Sequence, residues 1–345
     1  MLIISRGIPY SHVMRTIGKF VILVTMAIII LFITAPLEAQ SKGSGSEGAG
    51  STAYAFSVAP LFGLLYGQAE EIVYKHPEKN DYMSELLWDL KPIWYIGLSA
   101  FFGPRNAFAK SGFIVNGSFK IGLSSLSGIM EDRDWEFENN GLTKYSRHDA
   151  NSLNSLLIDL STGFSFKITS FLSLAAVVEF SYMNYSWSAI DGYYQYLETN
   201  SLGNIKPGQV WTDEIRKVYL EGEVMRYEQN WYILSPGLLL KLKMGPYLSL
   251  EGFFNYSPLI YCADRDDHLL TDTVFFDYNY FGHYLNGGGR FTVSPKRYVD
   301  FSISYSYRYI TGSRGDMETS LSSFDGIAGS GYTAMDIGLM VKFNF

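Results

Sequence analysis

The chain has 345 residues, of which 47% are hydrophobic, 18% charged and 16% aromatic, and it carries a formal net charge of −7 with one cysteine, Cys262. This composition excludes an intrinsically disordered chain, which has few apolar residues, and a disulfide scaffold, which needs paired cysteines. A mean hydropathy of only +0.04 excludes a polytopic helical membrane protein, because such a protein has several apolar runs of about 20 residues.

The first segment predicts export. Three basic residues and no acid lie within Met1–Phe20, and an almost continuously apolar run extends over Val21–Leu37. A basic start followed by an apolar core is typical of a secretory signal peptide, predicted here over residues 1–39. The run is longer than a usual signal core, so an uncleaved membrane anchor is the alternative. Residues 40–52, rich in Gly and Ser, are predicted to be a flexible lead-in.

From residue 53 onward the hydrophobic pattern has the period of two that is typical of β-strands. From Met335 to Phe345, apolar side chains alternate with mostly small, polar or charged ones. One apolar and one polar face suit a strand between lipid and a polar lumen. We therefore predict an all-β domain over residues 53–345, a ten-stranded antiparallel transmembrane β-barrel with long extracellular loops. A soluble β-sandwich is the alternative, but it would expose fewer aromatic side chains.

Ten such segments recur, and the connections between them alternate in length. The segments are predicted at 54–74, 84–102, 112–135, 152–167, 171–196, 217–242, 247–268, 273–293, 298–311 and 332–345. The connection 103–110 is short, whereas 136–151 and 312–331 are long and polar. Short turns on one side and long loops on the other are typical of outer-membrane barrels.

Two clusters of ionisable residues lie near predicted strand ends. Asp132 and Asp134 end the third segment, and Asp264, Asp266 and His268 end the seventh. Residues two apart on a strand share a face, so an inward phase would gather four carboxylates and one imidazole at the barrel mouth. Such a set could be a solvated acidic rim, a site for a hard cation such as Ca²⁺, or a general base oriented by a carboxylate. The spacing alone leaves all three open.

These residues also begin a resemblance to the omptins, the ten-stranded outer-membrane endoproteases of Gram-negative bacteria. Asp132-Arg133-Asp134-Trp135 resembles their Asp-x-Asp-Trp motif. Tyr256-Ser257, followed by Asp264-Arg265-Asp266-Asp267-His268, resembles their Tyr-Ser stretch and the Asp-x-Asp-acidic-His run after it. Further similar stretches are Gly67 to Tyr74, Ser146-Arg147-His148 and Tyr185-Ser186-Trp187. The terminal Phe345 resembles the C-terminal signature of bacterial outer-membrane proteins in general. The resemblance extends from about Tyr54 to Phe345, and the order of the motifs makes the set more specific than any one of them.

The resemblance implies a cell-surface endopeptidase of the bacterial outer membrane with its active site on the extracellular side. By position, Asp266 and His268 would form a catalytic dyad that deprotonates a water oriented by Asp132 and Asp134. Neither a covalent intermediate nor a metal is implied. The implied partners are cationic peptides or proteins and an outer-membrane lipid, with the protein itself monomeric. No basic patch suggests nucleic acid.

Substrate and lipid recognition carry over less completely. Glu71 and Asp264 match the acidic residues that bind the substrate's basic side chain ahead of the scissile bond. Lys144 stands at or near a position where the family often has an acid, so a basic preference after the cut is not expected. No cofactor is implied, with lipopolysaccharide or another outer-leaflet lipid as candidate activator. The basic motif that binds this lipid is missing, and the matching positions are Phe180, Tyr182, Asn184 and Asn230.

Two other function classes stay open. One is a non-catalytic barrel, an adhesin or narrow pore that retains the omptin frame, and the other is a lipid-A-modifying enzyme. His148 is predicted to be a loop or groove-wall residue, because no carboxylate lies two positions away. Cys262 is predicted to pack in the lumen. The peptidase hypothesis requires His268 within hydrogen-bond reach of Asp266 and facing Asp132 and Asp134.

Overall fold

The computed structural model describes residues 54–123, 125–136, 141–200, 205–206, 209–296 and 298–344. The predicted signal peptide and lead-in, and the terminal Phe345, lie outside these residues. The described residues form fifteen antiparallel β-strands. Within this part of the chain, no helix is long and apolar enough to cross a membrane.

The strands run in chain order with mostly short connections. They are β1 Tyr54–Tyr74, β2 Tyr82–Pro104, β3 Gly112–Gly122, β4 Ser125–Asp134, β5 Lys144–Lys167, β6 Leu172–Tyr196, β7 Val218–Tyr219, β8 Glu223–Lys243, β9 Leu248–Ser257, β10 Ile260–His268, β11 Thr273–Tyr280, β12 His283–Lys296, β13 Val299–Thr311, β14 Arg314–Thr319 and β15 Ser323–Asn344.

Hydrogen-bonded neighbours close the sheet into a ring. The last strand, β15, pairs with β1 on one side and with β13 and β14 on the other. From β1 the pairing continues through β2, β3, β5, β6 and β8 to β9 and β12, which returns to β13. The predicted antiparallel β-barrel is confirmed. Several strands are interrupted, as β3 and β4 are while pairing with the same two neighbours, so the number ten stays a prediction.

Side chains alternate between the lumen and the outer surface. On β15, Ile337, Leu339 and Phe343 are exposed on the outside, whereas Asp336 and Met340 are buried inside. The same exposed apolar band includes Phe62, Trp94, Ile96, Leu238, Leu240 and Ile303. A closed barrel with an apolar outer band satisfies its backbone internally and presents to lipid the surface that lipid stabilises.

The strands continue beyond this band, toward the end of the barrel opposite the C-terminus, and we call this part the upper barrel. On β1 the outermost exposed aromatic residue of the band is Tyr66, and Glu71 lies five residues after it. On β8 the band ends at Tyr232, and the next two outward side chains are Asn230 and Glu228. The upper barrel therefore stands outside the lipid-facing part of the wall.

The structure corrects two predicted long loops. Residues 136–151 do not form one long loop, because β5 begins at Lys144, and residues 312–331 are occupied largely by β14 and the start of β15. In the upper barrel the outer face meets water rather than lipid, so both faces of a strand can be polar or small. The apolar alternation is then lost although the backbone pairing continues, and the sequence resembles a loop.

An aromatic stack fills the barrel interior next to the upper barrel. The ring centroids of Trp88 and Tyr227 are 5.6 Å apart, and those of Trp187 and Tyr227 are 5.9 Å apart. Tyr185 and Tyr332 stack at 5.3 Å, and their hydroxyl groups lie 2.7 Å apart. All five side chains are at most 1% exposed. Packed aromatic rings of this kind make a stable interior rather than the lining of an open channel.

We expect Leu339→Lys to destabilise the barrel in lipid by about 2–4 kcal/mol, because Leu339 lies midway along the apolar outer face of β15 and the substitution places a charge in hydrocarbon. Phe343→Lys, at the membrane edge of the same face, is the matched control and should cost about 0–1 kcal/mol. Urea titration of refolding into lipid vesicles measures both. Equal costs at the two positions would contradict a membrane-embedded band centred near Leu339.

Candidate active site

Asp266 and His268 form a hydrogen-bonded pair at the upper end of β10. The Nε2 atom of His268 lies 2.5 Å from Oδ2 of Asp266. Asp266 is buried, while 32% of the His268 side chain is exposed, and the imidazole packs edge-on against Phe275 with ring centroids 5.2 Å apart. The carboxylate and the ring therefore fix the imidazole, with Nε2 toward Asp266 and Nδ1 left as the second ring nitrogen.

Asp132 and Asp134 end β4, opposite Leu86 and Ser84 of β2. Burial raises the pKa of Asp132 well above its ordinary value, and the charge of Asp134 raises it further. The pKa of Asp134 is also raised by burial, against a hydrogen bond from Ser84. One oxygen of Asp132, Oδ1, is buried without a hydrogen-bond partner. This free oxygen of Asp132 can accept a hydrogen bond from a small polar ligand such as water.

The two pairs act on each other across the lumen. The charge of His268 lowers the pKa of Asp132, and the charges of Asp132 and Asp134 raise that of His268. Because β4 and β10 are not neighbours in the sheet, this interaction crosses the barrel interior. Burial lowers the pKa of His268, but the hydrogen bond and charge of Asp266 outweigh it, so the net shift is upward. The four residues are thus close enough for their charges to act on one another.

Glu71 and Asp264 lie beside this group. Glu71 is 3% exposed with its Oε2 unpartnered, whereas Oδ2 of Asp264 accepts hydrogen bonds from Ser330 Oγ at 2.6 Å and Tyr227 OH at 3.1 Å. Burial raises the pKa of Asp264 to about 7. Burial and the charge of Asp266 raise the pKa of Glu71 well above its ordinary value. The two carboxyl groups next to the imidazole therefore bind protons more readily than ordinary carboxyl groups, and a nearby cation would favour their charged form.

A third carboxylate, Asp277 on β11, joins Glu71 and Asp264, and we call these three residues the acidic cluster. Asp277 lies directly opposite Asp264 in the β10–β11 register and is 1% exposed. Sequence reasoning missed it, because Asp277 stands alone among the aromatic residues of Thr273–Tyr280. The only signal is the hairpin itself, since pairing Thr273 with His268 aligns Asp277 with Asp264.

Three other residues considered above, His148, Ser146 and Cys262, are buried in the barrel. His148 is buried in β5, its Nδ1 contacts the backbone oxygen of Asp191, and burial lowers its pKa. Ser146 is buried opposite Asp132 in the sheet. Cys262 is a buried free thiol. Among the residues that the structure describes, no three His, Cys, Asp or Glu side chains are arranged to hold a metal ion.

The positions that match the family's lipid-binding motif carry neutral groups that bind one another. Asn184 Nδ2 donates to Glu228 Oε1 and to Asn230 Oδ1, both at 2.8 Å, and Tyr182 OH donates to Asn230 Oδ1 at 2.9 Å. At the rim, Lys144 pairs with Glu136. The amide side chains are therefore uncharged, and both donate hydrogen bonds to the carboxylate of Glu228.

Comparison with known proteins identifies the family and the fold. The model of the Omptin family matches residues 52–339, while no curated protein sequence matches the chain. The outer membrane protease OmpT from Escherichia coli has a similar structure, with a TM-score of 0.74 and 17% identity over 86% of this chain and 99% of OmpT. The Pseudomonas putida toluene transporter TodX aligns over 84% of this chain and 90% of its own, at 9% identity, with a TM-score of only 0.28.

Proposed function

Because the chain belongs to the omptin family of bacterial outer-membrane β-barrel proteins, we propose that it is a surface endopeptidase that cleaves peptides after basic residues. The observation that carries this proposal is the hydrogen-bonded pair of Asp266 and His268, on which the charges of Asp132 and Asp134 act from a strand elsewhere in the barrel. Peptide hydrolysis by an activated water needs a general base and groups that hold the water. Here a carboxylate orients the base, and a pair of acids can hold the water.

In the proposed mechanism His268 is the general base. With Nε2 bonded to Asp266, Nδ1 accepts a proton from a water molecule held by Asp132 and Asp134, and that water attacks the scissile carbonyl carbon. The imidazolium, stabilised by Asp266, then gives the proton to the leaving amine. No bond forms between enzyme and substrate, and the negative charge of Asp266 lowers the cost of charging the imidazole.

Glu71 and Asp264 are proposed to bind the basic side chain ahead of the scissile bond. Both are buried beside the dyad, and a buried carboxylate gains charge-assisted hydrogen bonds from a guanidinium or ammonium group. The formal charge of −7 would also favour the encounter with cationic peptides.

Refolded protein in detergent should cleave a fluorogenic peptide with one internal arginine. A peptide of identical sequence with citrulline in place of arginine is the matched control, because citrulline keeps the shape and loses the charge. We expect a kcat/KM at least about 100-fold lower for citrulline, since buried carboxylates would lose their cationic partner. Equal cleavage of both peptides, or of neither, would overturn the proposed specificity or the proposed activity respectively.

The acidic limb of the pH profile should lie above the ordinary imidazole pKa of about 6.5. His268 must be neutral to act as base, and its raised pKa means that kcat is lost as the pH falls through that higher value. Asp266→Asn removes the hydrogen bond and charge that raise this pKa, so the limb should move down by about one pH unit or more. Measuring kcat at saturating peptide from pH 5 to 9 tests this, and an unmoved limb would mean that another group titrates.

The site is further proposed to face the extracellular side, with an outer-leaflet lipid as activator and a monomeric barrel. The neutral contacts among Asn184, Asn230 and Tyr182 favour a headgroup bound through hydrogen bonds rather than through its charge. A narrow pore is not supported, because the aromatic stack around Trp187 and Tyr227 fills the interior.

A further inference from the structure

Asp277 is the carboxylate near the dyad whose negative charge its neighbours stabilise least. Both of its carboxylate oxygens are buried and have no hydrogen-bond partner, although the residue is only 1% exposed. Its cross-strand partner Asp264 is, by contrast, held by Ser330 and Tyr227, and it also accepts a hydrogen bond from the backbone N–H of Asp277. A buried carboxylate without partners is strongly unfavourable unless a cation or a proton compensates it.

No cation of the described chain supplies that compensation. The charges that act on Asp277 are those of Asp264 and Asp266, and both raise its pKa beyond the effect of burial. The largest charge effects on the pKa of Glu71 likewise come from carboxylates. Among the described residues, neither Asp277 nor Glu71 takes part in an ion pair with Lys, Arg or His. The acidic cluster therefore holds protons while it is empty, and a cationic ligand would favour its charged form.

The hydrogen-bond acceptors without partners in and beside this cluster lie on two different strands. They are Oε2 of Glu71 on β1 and Oδ1 and Oδ2 of Asp277 on β11, and Oδ1 of Asn279, two residues further on β11, is also unpartnered. The amide nitrogen of Asn279 donates to Ser330 Oγ at 2.6 Å, which joins this residue to Asp264. Four acceptors exceed the three donors of an ammonium group, whereas a planar guanidinium offers five donors in a wide fork.

We propose that Asp277 is a third substrate-binding carboxylate, which with Glu71 and Asp264 makes the acidic cluster prefer arginine to lysine before the scissile bond. This inference rests on the proposed peptidase function. Asp277 and Glu71 approach the guanidinium from different strands and accept hydrogen bonds from different nitrogens. The compact ammonium of lysine cannot reach acceptors on both strands equally well, so it gains less from Asp277.

The test compares Asp277→Asn with the wild-type barrel on two fluorogenic peptides that differ only in arginine or lysine at the recognised position. We expect kcat/KM for the arginine peptide to fall by about 10- to 100-fold, mainly through KM, since a charge-assisted hydrogen bond is lost. The loss for the lysine peptide should be smaller, so the arginine-to-lysine ratio should contract. Asp272→Asn is the matched control, because it removes an exposed carboxylate from the turn of the same hairpin. The φ angle of Asp272 is 52°, a conformation that Asn tolerates.

Folding of the variant is checked separately by thermal unfolding in detergent at pH 8. Asp277→Asn should unfold at a temperature no lower than wild type, because it removes an uncompensated buried charge. An unchanged arginine-to-lysine ratio, or an equal fall in kcat for both peptides at constant KM, would overturn the role of Asp277 while the peptidase function stands. Absence of cleavage of either peptide by the wild-type barrel would instead overturn the proposed function.

Discussion

Replacing His268 with glutamine should lower kcat for an arginine peptide by about 10²- to 10⁴-fold, the range that a general base contributes. Glutamine keeps a polar side chain of similar length but cannot take a proton from water. KM should change little, because His268 is not proposed to bind the substrate's basic side chain. Stopped assays over hours with refolded, purified barrel measure the residual rate.

His283→Gln is the matched control for this variant. His283 is exposed at the start of β12 and lies 3.0 Å, through Nδ1, from the Tyr256 hydroxyl, so its loss should leave kcat within about twofold of wild type. A His268→Gln barrel that retained wild-type kcat would remove the dyad from the mechanism. A non-catalytic barrel would then be the better interpretation of the omptin frame.

The dyad was predictable because its geometry is local. Asp266 and His268 stand two apart on one strand, and the period of a strand alone puts them on one face; the hydrogen bond between them follows. The meeting of this pair with Asp132 and Asp134 is not local, and it was predicted only through motif order and an assumed inward phase. The residue types could be read from the sequence, whereas their proximity depends on the closed ring of strands.

Asp277 and the two segments wrongly predicted as loops show which features could not be predicted from the sequence. The partner of Asp277 depends on the register of the β10–β11 hairpin, and a shift of one residue would turn its side chain to the other face. In β14 and the first part of β15, water on the outer surface removes the apolar period on which strand prediction depends. Both failures lie in the upper barrel, where the candidate site is.

Asp132→Asn should lower kcat by about 100-fold or more, with KM nearly unchanged. Asparagine keeps the size of the side chain but presents an amide where a carboxylate would hold the attacking water, and a misplaced nucleophile costs about this factor. Glu131→Gln is the matched control on the same strand: Glu131 lies on the opposite face, where it accepts hydrogen bonds from Arg133 at 2.6 Å and Tyr145 at 2.7 Å. The control should keep wild-type kcat.

The double variant Asp132→Asn with His268→Gln decides whether the two residues act on the same water. If Asp132 holds the water that His268 deprotonates, removing the base already removes the benefit of holding it. The double variant should then be about as slow as His268→Gln alone, because residues that act as a unit are strongly non-additive. Multiplicative losses would mean that Asp132 and His268 serve separate steps, and the pairing of the two clusters across the lumen would not be catalytic.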